Sequence, residues 1–161
     1  MPPAARITDP VAHPLPPVLT GGPTAITVII GMKPAWRGVG GSVASAITSA
    51  SQTARTSIEA AEATTKAAVG PAAPIAYAAE QALKASLLAA NSASIMSSGT
   101  DIHACLTPSP IPPHGPGVVT TPSKTVMIAN MPAARMGDTI TEAIGPPNKI
   151  TKGEPTVMIG G

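Results

Sequence analysis

A chain of 161 residues with 20 Pro, 15 Gly, one Trp, one Tyr and no Phe has room for one compact domain with an appendage, built on short strands, tight turns and a thin aliphatic core. Its net charge of +2, with no basic run and no aromatic platform, excludes nucleic acid as a partner. Its single Cys excludes an internal disulfide framework, so a core this thin needs another kind of staple.

Residues 1–37 open with the step Pro3-Ala4-Ala5-Arg6, followed by Asp9. A Pro-rich loop from Pro10 to Pro23 carries His13, and the apolar strand Ile26–Ile30 leads through Gly31-Met32-Lys33 into a second step, Pro34-Ala35-Trp36-Arg37. Each Arg-x-x-Asp reads as a turn clamp, worth little where exposed. Met1-Pro2-Pro3 begins no charged-then-apolar signal peptide. The chain is therefore expected to be made in the cytoplasm and exported only by a dedicated machine.

From residue 38 to 99 the character changes to Ala, Ser and Thr. Gly40-Gly41-Ser42 reads as a loop delivering an N-cap. Val43, Ile47, Ala50, Ala54, Ile58, Ala61, Thr65 and Ala68 fall on one helical face. Gly70-Pro71 stops that helix. A second is expected from Pro74 to Met96, with Ile75, Ala79, Leu83, Leu87 and Ala90 on one face. Each would be roughly 35–40 Å long. Arg55, Glu59, Glu62 and Lys66 interrupt the first helix, and Glu80 and Lys84 the second. Neither therefore offers the ~20 apolar residues of a membrane span.

Residues 100–161 return to the earlier style. Asp101-Ile102-His103-Ala104-Cys105 enters a second Pro-rich loop, then come His114-Gly115-Pro116-Gly117-Val118-Val119 and the strand Thr125–Ala129. The third step, Pro132-Ala133-Ala134-Arg135 with Asp138, precedes a closing strand Thr156–Gly160. Such self-similarity marks a repeat architecture of three units. Removing the helical stretch would set Arg37 beside Asp101, so 38–99 reads as an insertion within the second unit, at a turn that tolerates it. The body is then 1–37 with 100–161.

All three His and the one Cys lie in that body: His13, His103, Cys105 and His114. Aligning the units on their acids puts His13 four after Asp9, Cys105 four after Asp101 and Glu142 four after Asp138. Glu142 is expected to be an exposed acid. Four N/S donors suit one closed, structural zinc site, which would be the missing staple. The alternative is that these are scattered loop residues. An open catalytic zinc site is a further reading. It lacks a general base, because the nearby acids Asp9 and Asp101 belong to the turns, and a Cys105 nucleophile is equally unsupported.

The repeated Pro-Ala-Ala-Arg, the Thr-Val-Met-Ile-Gly strands, Asp-x-His-x-Cys and His-Gly-x-Gly resemble the PAAR-repeat family, tip proteins of type VI secretion and related contractile injection machines. The resemblance covers 1–37 and 100–161. It implies a mainly β, conical fold of short strands and Pro/Gly-rich loops in three pseudo-repeats, here with an inserted α-helical hairpin. It implies one copy per trimeric VgrG-type spike, a sharpened point that briefly meets the target membrane, no enzymatic activity, and zinc held by His13, His103, Cys105 and His114, with iron the alternative ion. Trp36 departs from the family step and is expected to alter packing. The apolar strands, through Val28, Ile30, Val126, Ile128, Val157 and Ile159, are candidates for docking on the spike. The family implies nothing for the hairpin. Its Ala-rich seam buries little, so it is expected to pack on the side of the tip, the spike, a chaperone or an effector. With no toxin segment after Gly161, cargo is expected to be bound non-covalently. A free adaptor with the same metal site is the remaining alternative.

Overall fold

The computed structural model describes residues 1–13, 15–108 and 113–161. Pro14 of the first Pro-rich loop and residues 109–112 of the second lie outside them. The elements are β1 (Pro3–Ala4), β2 (Gly21–Gly22), β3 (Ala25–Ile30), β4 (Lys33–Ala35), α1 (Gly41–Ala67), α2 (Ala72–Met96), β5 (Ile102–Pro108), β6 (Pro113–Val119), β7 (Met127–Ile128), β8 (Met131–Pro132), β9 (Thr139–Glu142), β10 (Asn148–Lys149) and β11 (Glu154–Met158). The result is a small β-rich body with a helical hairpin.

The two Pro-Ala-Ala-Arg steps and the Pro-Ala-Trp-Arg step meet in a closed ring of backbone hydrogen bonds. Ala5 N–H donates to Ala134 O at 2.9 Å, Ala134 N–H to Trp36 O at 3.0 Å, and Trp36 N–H to Ala5 O at 2.9 Å. Single bridges repeat the cycle one residue away, pairing Ala4 with Arg135, Arg6 with Ala35 and Arg37 with Ala133. Side chains of an extended segment alternate in direction, so the ring separates two cores. Ala4, Ala35 and Ala133 join Ala25, Ile30, Ile128 and Ile159. Ala5, Trp36 and Ala134 join Val11, Leu19, Val119, Ile140 and Ile150. Trp36, fully buried, fills the centre that two small alanines leave open.

Each step is locked by its acid. The Asp9, Asp101 and Asp138 carboxylates accept the backbone N–H of Arg6, Arg37 and Arg135 at 2.7, 2.8 and 2.7 Å, and each also takes the guanidinium of the same arginine. These clamps are buried rather than exposed turns: Asp9, Asp101 and Asp138 are 3%, 0% and 5% exposed.

Three two-stranded ribbons lie on one side of the ring. Ribbon β3–β4 turns through Gly31-Met32 and β7–β8 through Ala129-Asn130, with φ of 53°, 64°, 46° and 62°. Positive φ at both central residues is the type I′ geometry that matches strand twist in tight hairpins. The third ribbon joins the two ends of the chain: β11 pairs with β1, and Ile159 N–H donates to Pro2 O at 2.9 Å. The six positions expected to dock on the spike differ in exposure. Ile30, Ile128 and Ile159 are buried in the chain's own core, Val28 and Val126 are part-buried against it, and Val157 is exposed. Ile29, Met127 and Met158, at equivalent positions of the three ribbons, turn outward, at 55%, 56% and 47% exposure.

On the other side, a five-stranded antiparallel sheet runs in the order β10-β9-β6-β5-β2. Helices α1 and α2 fold back on each other and pack on this sheet. Val39, Ala44, Ile47 and Ile95 meet Val118 and Ala143, and Ala54 and Ile58 meet Ile144. The packed faces differ from those expected. Val43 and Ile75 are exposed, as are Ala79 and Ala90, while Ser51, Glu80 and Lys84 are buried. An Ala-rich helix has little apolar contrast to fix its rotation, so tertiary contacts choose the face. Lys84, expected to interrupt the helix, instead joins the hairpin internally. Its ammonium lies 2.6 Å from Glu80 Oε1 and 2.7 Å from Glu62 Oε1 on α1. The N-cap of α1 is Gly40, two residues before Ser42, and no side chain caps it.

Candidate metal centre

The segments that build the first core also carry the candidate ligands. His13 follows Val11 in the first loop, His103 and Cys105 lie on β5, and His114 lies on the neighbouring strand β6. Alternation puts His103 and Cys105 on the same face of β5. The β5–β6 register pairs Cys105 with Gly115, bringing His114 alongside. Gly115 has φ of 80°, a left-handed conformation that favours glycine beside His114.

The structure places the four residues in two triads that share Glu142, His13 with His103 and Cys105 with His114. His13 Nε2 and His103 Nε2 face each other at 2.7 Å. Thr20 N–H donates to His103 Nδ1 at 3.3 Å, which leaves the ring proton on Nε2, shared with His13. His103, Cys105 and His114 are buried at 0%, 3% and 8% exposure. Burial lowers the pKa of His13, with neighbouring His114 adding to the shift. Burial, reinforced by His13, pushes His103 down to about 4. Both rings are therefore neutral near pH 7, the form in which imidazole binds a cation.

The residue missed by sequence reasoning is Glu142. It is not an exposed acid but 1% exposed, at the end of β9 in the middle of the cluster. His114 Nδ1 lies 2.7 Å from its Oε2 and His13 Nε2 lies 3.4 Å from its Oε1. Burial pushes its carboxyl up, opposed by His114, Cys105 and Asn148. The signal was present in the repeat register, since Glu142 stands four after Asp138 as His13 and Cys105 stand four after their acids. What hid it was the ordinary expectation that a carboxylate in a loop-rich segment is solvated.

Two groups of side chains could hold a metal ion: His13, His103 and Glu142, and Cys105, His114 and Glu142, the ligand atoms of each lying within 4.8 Å of one another. The fit to a divalent cation is tested by an orphan. Glu142 Oε1 is buried and accepts no hydrogen bond, an arrangement costly for a carboxylate unless a positive charge meets it. Imidazole and thiolate donors suit zinc and iron. A cleft lined by Ala12, His13, His114, Glu142 and Pro146 opens onto the cluster.

Strands β9 and β6 are also braced from behind by the hairpin. Ser51 Oγ donates to Glu142 O at 2.8 Å, and Asn91 Nδ2 donates to Ala143 O at 2.7 Å. Among the described residues no helix is long and apolar enough to cross a membrane.

Compared with known families, residues 111–161 match the model of the PAAR motif. No curated protein and no solved structure matches the chain.

Proposed function

We propose that this chain, which carries a PAAR motif over residues 111–161, is a structural tip that sits as a single copy on the end of a trimeric VgrG-type spike in a contractile injection machine. The observation that carries this reading is the closed ring through Ala5, Trp36 and Ala134. One chain thereby offers three similar ribbons on one side, which is what a monomer needs to meet three identical protomers with matching surfaces. Ile29, Met127 and Met158 occupy equivalent outward positions of those ribbons and form the docking face. Apolar side chains of adaptable shape suit such a contact. Met32, 94% exposed at φ 64°, projects from one ribbon turn and extends that face.

The body comprises 1–37 and 100–161, with 38–99 inserted. A zinc ion held by His13, His103, Cys105 and His114 would cross-link the first loop to strands β5 and β6 and supply folding free energy that the small core lacks. Its role is structural, not catalytic. The tip would travel with the machine and break the target membrane. The outer part of the hairpin exposes Val69, Ile75 and Tyr77 at 80%, 71% and 54%, a surface for an effector or chaperone.

The test is binding to the purified trimeric spike, measured by light scattering, together with elemental analysis of the tip. A stable complex and about one zinc per chain are expected. Failure to bind the spike while holding metal would favour the adaptor reading instead.

A further inference from the structure

The hydrogen bond between Glu142 and His114 joins a buried carboxylate to a candidate ligand, and the strands carrying the two residues fix it from both sides. Glu142 on β9 lies opposite Gly117 on β6. Just beyond, Ala143 N–H donates to Pro116 O at 3.0 Å and Ile144 N–H to His114 O at 3.1 Å. This pairing delivers Glu142 Oε2 to 2.7 Å from His114 Nδ1. We propose that Glu142 is a positioning residue of the metal centre: it holds the ring proton of His114 on Nδ1 and so presents Nε2 to the cation, without itself binding the ion. This deepens the metal reading above and rests on it.

Imidazole chemistry separates the two roles. A neutral imidazole carries a proton on one nitrogen and a lone pair on the other, and a carboxylate only accepts. The proton of His114 therefore stays on the nitrogen facing Oε2, and the lone pair is left on Nε2. A carboxylate engaged at Nδ1 lies across the ring from a cation held at Nε2, so it acts through the imidazole rather than on the ion. Outer carboxylates of this kind fix the tautomer and orientation of a ligating histidine and raise its basicity. The donors remain His13, His103, Cys105 and His114.

Packing and charge agree with that role. A Cβ at Gly145 would meet both Glu142 Oε2 and His114 Nδ1 at 2.5 Å. Both side chains are buried and have little room to give way, so glycine there lets the backbone pass beside the hydrogen bond. Among the described residues the ion pairs of Glu142 are to His13 and His114, with no Lys or Arg. A divalent cation held by one thiolate and three neutral imidazoles keeps one net positive charge. A buried carboxylate beside it balances that charge without a bond to the ion.

The experiment uses the full chain, labelled with 15N and loaded with Zn2+. Long-range 1H–15N correlations identify the protonated and the metal-bound nitrogen of each histidine. For His114 the wild type is expected to show the proton on Nδ1, protected from exchange with water, and the metal on Nε2. Glu142→Leu removes the acceptor at similar volume. It should bind Zn2+ about tenfold to a hundredfold more weakly in chelator competition, with an Nδ1 proton that exchanges faster. Glu142→Gln, whose amide oxygen still accepts from Nδ1–H, should restore that protection and part of the affinity. The wild-type spectrum decides on its own should Glu142→Leu fail to fold. Metal on Nδ1 of His114 in the wild type, or unchanged Zn2+ affinity in Glu142→Leu, would overturn the role of Glu142 and leave the metal site standing. No Zn2+ uptake by the wild type would overturn the metal reading itself.

Discussion

The carboxylate of Asp101 accepts the backbone N–H of Arg37 at 2.8 Å across 64 positions of sequence, the same bond that Asp9 and Asp138 make to arginines three positions away. The second clamp thus closes a loop containing both helices. Closure of so long a loop costs only modestly more entropy than a short one, but it relies on a pair buried on both sides. Asp101→Ala leaves Arg37 buried without its carboxylate. It is expected to cost about 3–5 kcal/mol in chemical denaturation, more than Asp9→Ala, whose Arg6 keeps Glu154 as a second partner.

The alternation in the ribbons separates docking from folding. Met127→Asp should leave the melting temperature nearly unchanged while weakening spike binding by about 2 kcal/mol or more, roughly thirtyfold. Ile128→Asp, one residue on, places a charge in the core and should unfold the tip. Calorimetric titration and thermal melts of the two variants make the comparison.

Lys84 gives the hairpin a pH dependence. Hydrogen bonding from Lys84 is the largest cause holding the Glu80 carboxyl below its ordinary value of 4.5, and Lys84 itself is raised by its two glutamates against the opposing effect of burial. A depressed carboxyl contributes stability above its unfolded pKa and loses it as pH falls through the folded value. Helical circular dichroism should therefore melt earlier below about pH 4, and less so in Glu80→Gln. Lys84→Ala, which strands two glutamates, should cost about 3 kcal/mol.

The hairpin contacts the backbone that carries Glu142, so the helices and the metal centre are coupled. Ser51→Ala leaves Glu142 O without its buried donor and should cost about 1–3 kcal/mol. By loosening β9 it should also weaken zinc binding by about tenfold. Competition with a chromophoric chelator measures it. Unchanged affinity would make the hairpin a bystander to the site.

Much of this molecule was legible in its sequence for a physical reason: the repeated step fixes ring, clamp and ribbon together, so spacing alone relates Arg37 to Asp101 and places His13 and Cys105 in one register. Legibility failed where neighbours rather than spacing decide. Ile30 and Ile29 are equally apolar, and only the ribbon's twist against Ala4 and Ala133 turns one in and the other out. Ala79 and Lys84 both sit on α2, and composition favours burying the alanine. Glu62 across the hairpin reverses that choice. Glu142 was read by its charge, when its place in the repeat was the better guide.

The central claim is that one chain with internal three-fold repetition caps three protomers, and native mass spectrometry of the tip bound to its trimeric spike tests it most directly. The account predicts a single species of one tip chain per three spike protomers, lost in Met127→Asp. A complex of three tips to three protomers would contradict it, because the ring through Ala5, Trp36 and Ala134 would then have no three-fold partner to match.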